Sequence, residues 1–328
     1  VQAHRFQMLL GRYWMPLTPS ADAILSGNRR ALAKAITLIE SARPQDRSRA
    51  QDLLNELLPH TGNSLRIGIT GVPGVGKSTF IESFGQHVIS QGHKLAVLAV
   101  DPSSPMAGGS ILGDKTRMEH LSRDPAAFIR PSPAGKALGG VALKTRESML
   151  LCEAAGFDVV LVETVGVGQS EHQVGSMVDF FLILLLPGGG DELQGIKKGI
   201  LELADAILIN KADGESESLA RKTMLHYQSA MSLLSGNDFW KPEVHTCSAI
   251  ERKGITDCWD MMARFREEAG NCGALSRKRG DQNLHWMRQL TDEMLRQQLS
   301  DHAGVAALMP SLREQVIRGE LTPVTAAT

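Results

Sequence analysis

The chain has 328 residues, of which 42% are hydrophobic and 22% charged, and its formal net charge is −1. This length suits one large globular domain with appendages, or two domains. Because the charge is nearly balanced, attraction to nucleic acid or to a membrane surface is not expected. The four cysteines are far apart and form no C-x-x-C pair, which argues against a disulfide framework or a zinc site and favours a reducing compartment. We therefore expect a cytoplasmic protein, or one of the mitochondrial matrix if the source is eukaryotic, with each cysteine acting as a small buried hydrophobe.

Residues 1–63 are predicted to form an N-terminal helical arm. Apolar residues recur at helical spacing at Leu32, Ile36 and Ile39, and again at Leu53–Leu58. Pro44 and Asn63 punctuate this pattern. Residues 1–20 match no pattern to which a role can be assigned.

Residues 64–270 alternate strand-like and helix-like segments, which predicts an α/β fold with a mainly parallel central sheet flanked by helices. Ligands bind at the carboxyl ends of the strands in such folds. Most of the predicted strands are continuous apolar runs, as expected for parallel strands covered on both faces. They are Leu65–Thr70, Lys94–Val100, Ala127–Arg130, Asp158–Glu163, Asp179–Leu186, Ala206–Asn210 and Glu243–Cys247.

A complete G-x-x-x-x-G-K-S phosphate-binding loop follows the first predicted strand. A helix-like run at Phe80–Ser90 comes after it, and this strand–loop–helix context supports the motif. Lys77 would reach the β- and γ-phosphates, and Ser78 would ligate Mg²⁺. Backbone N–H groups of the loop would converge on phosphate oxygens. The predicted binding residues are Gly71, Val72, Pro73, Gly74, Val75, Gly76, Lys77, Ser78 and Thr79.

Asp101 directly follows the second predicted strand, where a carboxylate faces the phosphate-binding loop and can support the Mg²⁺ shell. A glycine-containing segment at 108–118 comes next. Within it, Asp114 is a candidate to position water or metal, and Lys115 or Arg117 to offset γ-phosphate charge. A solvated loop with incidental charges is the alternative interpretation.

A second nucleotide motif lies at the end of the fourth predicted strand. Glu163 is the last residue of that strand, and Gly166 follows it. Glu163 would hold Mg²⁺, and the Gly166 N–H would contact the γ-phosphate, so that the segment orders with bound triphosphate. Val167 stands where Ras-like proteins place the glutamine that orients the attacking water. The sequence therefore predicts slow intrinsic hydrolysis that a partner accelerates.

Asn210-Lys211-Ala212-Asp213 follows the sixth predicted strand, and in this context N-K-x-D is the guanine-reading element of GTPases. Asp213 would accept hydrogen bonds from the guanine N1–H and 2-amino group, which adenine lacks. Asn210 and Lys211 would brace the loop and the base. Ser248, Ala249 and Ile250, after the last strand, match the loop that offers a backbone N–H to the guanine O6. GTP is therefore favoured over ATP, an ordinary strand-end turn being the alternative.

Two further segments carry weaker signals. Three glycines at Gly188–Gly190 precede charged residues and indicate a hinge, although a plain surface turn is also consistent. In the tail, residues 271–328, Trp286, Leu290 and Met294 recur every four residues. This predicts a C-terminal helical extension whose apolar residues serve either as core or as a dimer surface.

The motifs together resemble the MeaB/ArgK family of P-loop GTPases, which includes the human methylmalonic aciduria type A protein. The specific likeness lies in AVDPSSPMAGGSILGDKTRM at Ala99–Met118, ETVGVGQSE at Glu163–Glu171, GGGDELQGIKKG at Gly188–Gly199 and NKADG at Asn210–Gly214. It covers roughly residues 21–318.

The resemblance implies a GTPase, acting with GTP/GDP and Mg²⁺, that gates adenosylcobalamin loading and protects a cobalamin-dependent acyl-CoA mutase, with methylmalonyl-CoA mutase favoured as the partner. It places Asp101, Asp114 and Glu163 on the family's Mg²⁺ and switch carboxylates. It also places Asp191, Gln194 and Lys197 on an additional switch loop that couples nucleotide state to the mutase, and it implies a homodimer formed through the C-terminal extension.

Two other enzymatic interpretations compete with this one. An ATPase or kinase acting on periplasmic amino-acid-binding proteins would use ATP, against which the N-K-A-D motif argues. A nickel- or zinc-insertion GTPase would carry a His-rich tract or close cysteine pairs, and the sequence has neither. A binding module without catalysis would require every one of these loops to be incidental.

Overall fold

A computed structural model describes most of the chain. The described residues are 19–41, 43–100, 118–131, 140–164, 170–188, 198–232 and 239–328. Several predicted residues lie outside these ranges, namely Asp101, Asp114, Lys115, Arg117, Gly166, Val167, Gly189, Gly190, Asp191, Gln194 and Lys197.

Seven parallel strands form one sheet in the order β3-β2-β4-β1-β5-β6-β7. All seven predicted strands are confirmed. Five of them, β1, β2, β4, β5 and β6, are buried along their whole length, as expected for apolar strands covered on both faces, whereas β7 is mostly half-buried. The strands are β1 Leu65–Gly71, β2 Leu95–Val100, β3 Ala127–Pro131, β4 Val159–Thr164, β5 Phe180–Leu185, β6 Ala206–Ile209 and β7 Glu243–Thr246.

Helices connect the strands. The described α-helices are α1 Ala21–Leu25, α2 Arg29–Glu40, α3 Pro44–Leu57, α4 Lys77–Ser90, α5 Glu119–Arg123, α6 Gly140–Ala154, α7 Ser170–Gly175, α8 Lys198–Leu201, α9 Glu217–Ser232, α10 Ile255–Asn271, α11 Ala274–Asp301, α12 Ala303–Ile317 and α13 Pro323–Ala327. The predicted N-terminal helices are therefore present as α1 to α3. Pro44 occupies the first position of α3, where its fixed φ and missing N–H are tolerated.

The central strand β1 shows how the two faces of the sheet are covered. Ile67 and Ile69 pack in one apolar cluster with Phe80 and Phe84 of α4. Arg66 points to the opposite face, since successive side chains alternate, and pairs there with Glu153 of α6 (Nε to Oε1, 2.7 Å). Helices thus lie on both faces, and the carboxyl end of β1 is left to hold the phosphate-binding loop.

The chain forms two compact units, one ending at Arg279 and the other comprising Gly280–Thr328. The second unit is helical and exposes large apolar side chains, among them Leu295, Leu299, Leu308 and Ile317. None of the helices within the described ranges combines the length and apolarity needed to cross a lipid bilayer.

All four cysteines are free thiols. Cys152, Cys247 and Cys258 are buried as predicted, but the prediction was wrong for Cys272, which is exposed. The reason is its position, since Cys272 caps the C-terminus of α10 rather than lying on the helix face that packs on the core.

Candidate functional site

The phosphate-binding loop links the end of β1 to the start of α4, as the sequence predicts. At Gly71 the backbone runs so close to β5 that an added Cβ would lie 2.5 Å from the carbonyl oxygen of Leu184. At Gly76, φ is +96° and an added Cβ would lie 2.8 Å from Nδ2 of Asn210. Both positions therefore require glycine, the first for close approach and the second for close approach and a left-handed backbone.

Lys77 begins α4, and its ammonium group lies over the loop. Its Nζ donates to the carbonyl oxygen of Gly71 over 2.7 Å. Burial lowers the pKa of Lys77, and the negative charges of Glu163 and Glu171 oppose that shift. The lysine is therefore held at the phosphate-binding loop with carboxylates near enough to act on its charge.

Asn210 joins the phosphate-binding loop to the predicted guanine-reading loop. The side chain is 2% exposed. Its Nδ2 donates to the carbonyl oxygen of Val75 over 2.8 Å, while its Oδ1 accepts from the Ala249 N–H over 3.1 Å and from the Cys247 thiol over 3.5 Å. The side-chain amide of Asn210 thus contacts the phosphate-binding loop at Val75 and the second predicted guanine loop at Cys247 and Ala249. These two segments are far apart in sequence.

Asp213 is held in place by Ser248. The Ser248 hydroxyl, fully buried, donates to Oδ2 of Asp213 over 2.5 Å, and the Glu251 N–H donates to the same hydroxyl over 3.2 Å. The Ala212 N–H also donates to the Cys247 carbonyl oxygen over 3.0 Å. Both loops of the predicted guanine site therefore meet, and the carboxylate that would read the base is fixed.

Backbone strain is concentrated in these same loops. Among the described residues, the non-glycine residues with positive φ are Lys211, at 61°, and Arg252, at 59°. Lys211 lies in N-K-A-D, and Arg252 lies in the turn that the Ser248–Lys253 bridge closes. A left-handed non-glycine residue costs about 1–2 kcal/mol and marks functional loops more often than ordinary turns.

The end of β4 brings Glu163 beside the phosphate-binding loop. Glu163 pairs in register with Ile69 of β1 and is 5% exposed. The Thr164 hydroxyl donates to the Thr70 hydroxyl over 2.8 Å, which ties the ends of the two strands together. Glu171 of α7 is 1% exposed and acts on the charge of Lys77. It ends the ETVGVGQSE segment, but its proximity to Lys77 could not be predicted, because the two residues are far apart along the chain.

The other predicted residues that are described take positions around this centre. Ser78 is half-buried in the first turn of α4, whereas Thr79, Pro73 and Gly74 are exposed. Ile250 is 77% exposed. Within the described ranges, no group of three or more His, Cys, Asp or Glu side chains could hold a metal ion. Of the three predicted Mg²⁺ ligands, Ser78 and Glu163 lie in those ranges and Asp101 does not.

Comparison with protein families gives a match over most of the chain. The family model described as methylmalonyl Co-A mutase-associated GTPase MeaB matches residues 32–303. The resemblance seen in the motifs is therefore confirmed by a match that spans the sheet and its helices.

Individual proteins agree with the family match. The GTPase ArgK of Escherichia coli (strain K12) is 51% identical over 278 residues, covering 84% of each chain. The mitochondrial methylmalonic aciduria type A homolog of Mus musculus is 47% identical over 315 residues, covering 93% of this chain and 76% of the mouse protein. A solved structure described as a LAO/AO transport system kinase is 40% identical, with a TM-score of 0.75 over 94% of this chain and 93% of that one.

Proposed function

The chain belongs to the MeaB family of methylmalonyl-CoA mutase-associated GTPases, and on that premise we propose that it is a GTP-dependent chaperone of a cobalamin-dependent acyl-CoA mutase. It binds GTP with Mg²⁺, hydrolyses it slowly to GDP and phosphate, and uses the change of nucleotide to gate adenosylcobalamin loading and to protect the mutase. Methylmalonyl-CoA mutase is the favoured partner, because the family's description names it. The observation that best supports nucleotide binding is that the Asn210 side chain forms hydrogen bonds with both Val75 and Ala249.

The guanine choice rests on Asp213. Its Oδ2 is fixed by the Ser248 hydroxyl, so the carboxylate presents a defined edge to the N1–H and 2-amino groups of guanine. Adenine offers neither donor, so the carboxylate would lose solvent beneath the base without gaining a hydrogen bond from it, which rejects the wrong base strongly.

The residues beside Lys77 fit a bound Mg²⁺. Ser78 offers a hydroxyl from the first turn of α4, and Glu163 offers a buried carboxylate from the end of β4; oxygen ligands with bound phosphate are what this ion prefers. Bound Mg²⁺ supplies positive charge to the β- and γ-phosphate oxygens. Lys77 exchanges its bond to the Gly71 carbonyl oxygen for a phosphate oxygen and adds a second positive charge there.

Hydrolysis is slow in this proposal because position 167 is valine. A valine side chain has no donor or acceptor with which to orient the attacking water, as the glutamine of Ras-like proteins does. The partner would supply or position the missing group. Single-turnover hydrolysis with and without the mutase tests this step, and a partner-independent rate above about 1 s⁻¹ would contradict it.

A pull-down with purified mutases tests the proposed chaperone role. The immobilised chain is incubated with methylmalonyl-CoA mutase or another cobalamin-dependent acyl-CoA mutase, with a non-hydrolysable GTP analogue or with GDP. We expect mutase capture to differ between the two nucleotides, and we expect Lys77→Ala to lose that difference. If no cobalamin mutase binds in either state, the chaperone role is removed while the GTPase remains.

A kinase function is the second candidate, because the solved relative at 40% identity is described as a transport system kinase. That function would require ATP as donor and transfer of the γ-phosphate to a protein. The fixed carboxylate of Asp213 argues against ATP as the nucleotide. Transfer of radiolabelled γ-phosphate to a protein acceptor, rather than to water, would favour the kinase.

A further inference from the structure

Ser83 links the helix of the phosphate-binding loop to the guanine loop. It lies in the middle of α4 and is 8% exposed. Its hydroxyl donates to the carbonyl oxygen of Ala249 over 2.6 Å, across 166 residues of sequence. A serine inside a helix more often bonds a carbonyl of the preceding turn, so this side chain is directed away from its own helix and towards the loop.

Both backbone polar groups of Ala249 are therefore hydrogen-bonded. Its N–H donates to Oδ1 of Asn210 over 3.1 Å, and its C=O accepts from Ser83. Ala249 is 3% exposed, so both polar groups would be costly to leave without a partner. The orientation of the peptide group between Ala249 and Ile250 is therefore fixed from α4.

Fixing that peptide also aims the next N–H. The described backbone has no cis peptide bonds, and in a planar trans peptide the C=O and the following N–H point in opposite directions. Since the Ala249 C=O points at Ser83, the Ile250 N–H points away from α4. Within the described part of the chain this N–H makes no hydrogen bond, and Ile250 is 77% exposed.

We infer that Ser83 is a positioning residue for base recognition, which sets the Ile250 N–H to donate to the 6-oxo group of guanine. This inference rests on the proposed guanine-nucleotide function and refines it. Asp213 reads the N1–H and 2-amino edge, whereas Ser83, through the Ala249–Ile250 peptide, sets the donor for the O6 edge. The two edges are thus read from different parts of the fold.

Nucleotide analogues that carry or lack the 6-oxo group test this role of Ser83. GTP and inosine triphosphate both carry the 6-oxo group, but inosine lacks the 2-amino group. The triphosphate of 2,6-diaminopurine riboside keeps the 2-amino group but replaces the 6-oxo group with an amine. Its N1 then carries no hydrogen, so it lacks the O6 acceptor and one of the two donors to Asp213. Dissociation constants for the three nucleotides are measured by calorimetry, with Mg²⁺, on the full chain and on Ser83→Ala and Ser148→Ala. Ser148 is the matched control, since it is a buried serine (4% exposed) of another helix, α6.

For Ser83→Ala we expect about threefold to tenfold weaker binding of GTP and of inosine triphosphate, the size of one net hydrogen bond. The diaminopurine nucleotide and the ratio of GTP to inosine triphosphate affinities should stay unchanged, and Ser148→Ala should match the wild type. Alanine is the better helix former, so the variant keeps α4. An equal loss for all three nucleotides, or no loss for GTP, would overturn the inference. If instead the wild type fails to prefer GTP over the diaminopurine nucleotide, it is the proposed guanine function that fails.

Discussion

The side-chain amide of Asn210 donates to the carbonyl oxygen of Val75 over 2.8 Å, joining residues 135 positions apart. Val75 lies in the phosphate-binding loop, and Asn210 begins the N-K-A-D segment. Because the same side chain accepts from Ala249, one amide contacts both the phosphate-binding loop and the loop predicted to bind the guanine base. A change at this amide should therefore affect both.

Replacing Asn210 with alanine should weaken GTP binding and also lower the stability of the nucleotide-free protein. The variant leaves the buried Val75 carbonyl and the Ala249 N–H without their partner, and each such loss costs about 1–3 kcal/mol. We expect GTP affinity to fall at least about tenfold, measured by calorimetry, with a lower thermal midpoint. Asn271→Ala is the control, since Asn271 is exposed at the end of α10. Unchanged GTP affinity in Asn210→Ala would show that the hydrogen bonds of Asn210 with Val75 and Ala249 do not contribute to GTP binding.

Replacing Gly76 with alanine should destabilise the chain more than replacing Gly92. The two glycines have nearly equal φ, +96° and +92°, so both substitutions add similar backbone strain. They differ in space, because a Cβ at position 76 meets Nδ2 of Asn210 at 2.8 Å and a Cβ at position 92 meets nothing within 4 Å. Urea unfolding without nucleotide compares them. Equal midpoints for the two variants would mean that the contact at position 76 relaxes at no cost.

Replacing Asp213 with asparagine should move base preference from guanine towards xanthine. The amide can donate where the carboxylate accepted, and xanthine offers an oxygen in place of the guanine 2-amino group. We expect GTP affinity to fall about 100-fold or more while xanthosine triphosphate binds more tightly than it does to the wild type. Competition between the two nucleotides measures this. Loss of GTP binding without any gain for xanthosine triphosphate would argue that Asp213 has a structural role only.

The buried pair of Arg66 and Glu153 should make stability fall at acid pH. Burial raises the pKa of Glu153, but Arg66, Ser64 and the Gly62 N–H outweigh it, so the net pKa is lowered from 4.5. A carboxyl with a depressed folded-state pKa stabilises the fold above its unfolded-state pKa, and that stability is lost as pH falls through the folded-state value.

Glu153→Gln tests this pair. At pH 7 we expect a loss of roughly 3–5 kcal/mol, because Arg66 is left as a buried unpaired charge. The gap between variant and wild type should narrow as pH falls below about 4.5, because the carboxyl of the unfolded chain takes up its proton there, whereas that of the folded chain does so only at a lower pH. Glu119→Gln is the matched control, since the Glu119–Arg123 pair is exposed and is worth about 0.5 kcal/mol or less. A gap that stays constant with pH would contradict the assignment.

The strands could be predicted almost to their ends because their signal is local. The run at Asp179–Leu186, for example, forms β5 at Phe180–Leu185. Its start is fixed by Asp179, which accepts from the Arg66 N–H over 2.8 Å and from Arg279. The apolar run predicts the strand, but the ion pair of Asp179 with Arg279 at its start could not be predicted, since the two residues are 100 positions apart.

The candidate site was predictable to the extent that it is made of motifs. Lys77, Asn210 and Asp213 stand in spacings that carry their chemistry, and the structure brings them to one edge of the sheet. Ser83 stands in no motif, and Glu171 ends the ETVGVGQSE segment but had no predicted role. Their roles follow from which side chains the helices α4 and α7 turn towards the loops, and that depends on packing between distant segments.

The most direct test of the account is equilibrium binding of GTP and ATP to the wild-type chain with Mg²⁺, measured by calorimetry under identical conditions. The account predicts that GTP binds at least about 100-fold more tightly, because adenine offers no donor to the carboxylate of Asp213 that Ser248 fixes. Equal affinities for the two nucleotides would contradict it.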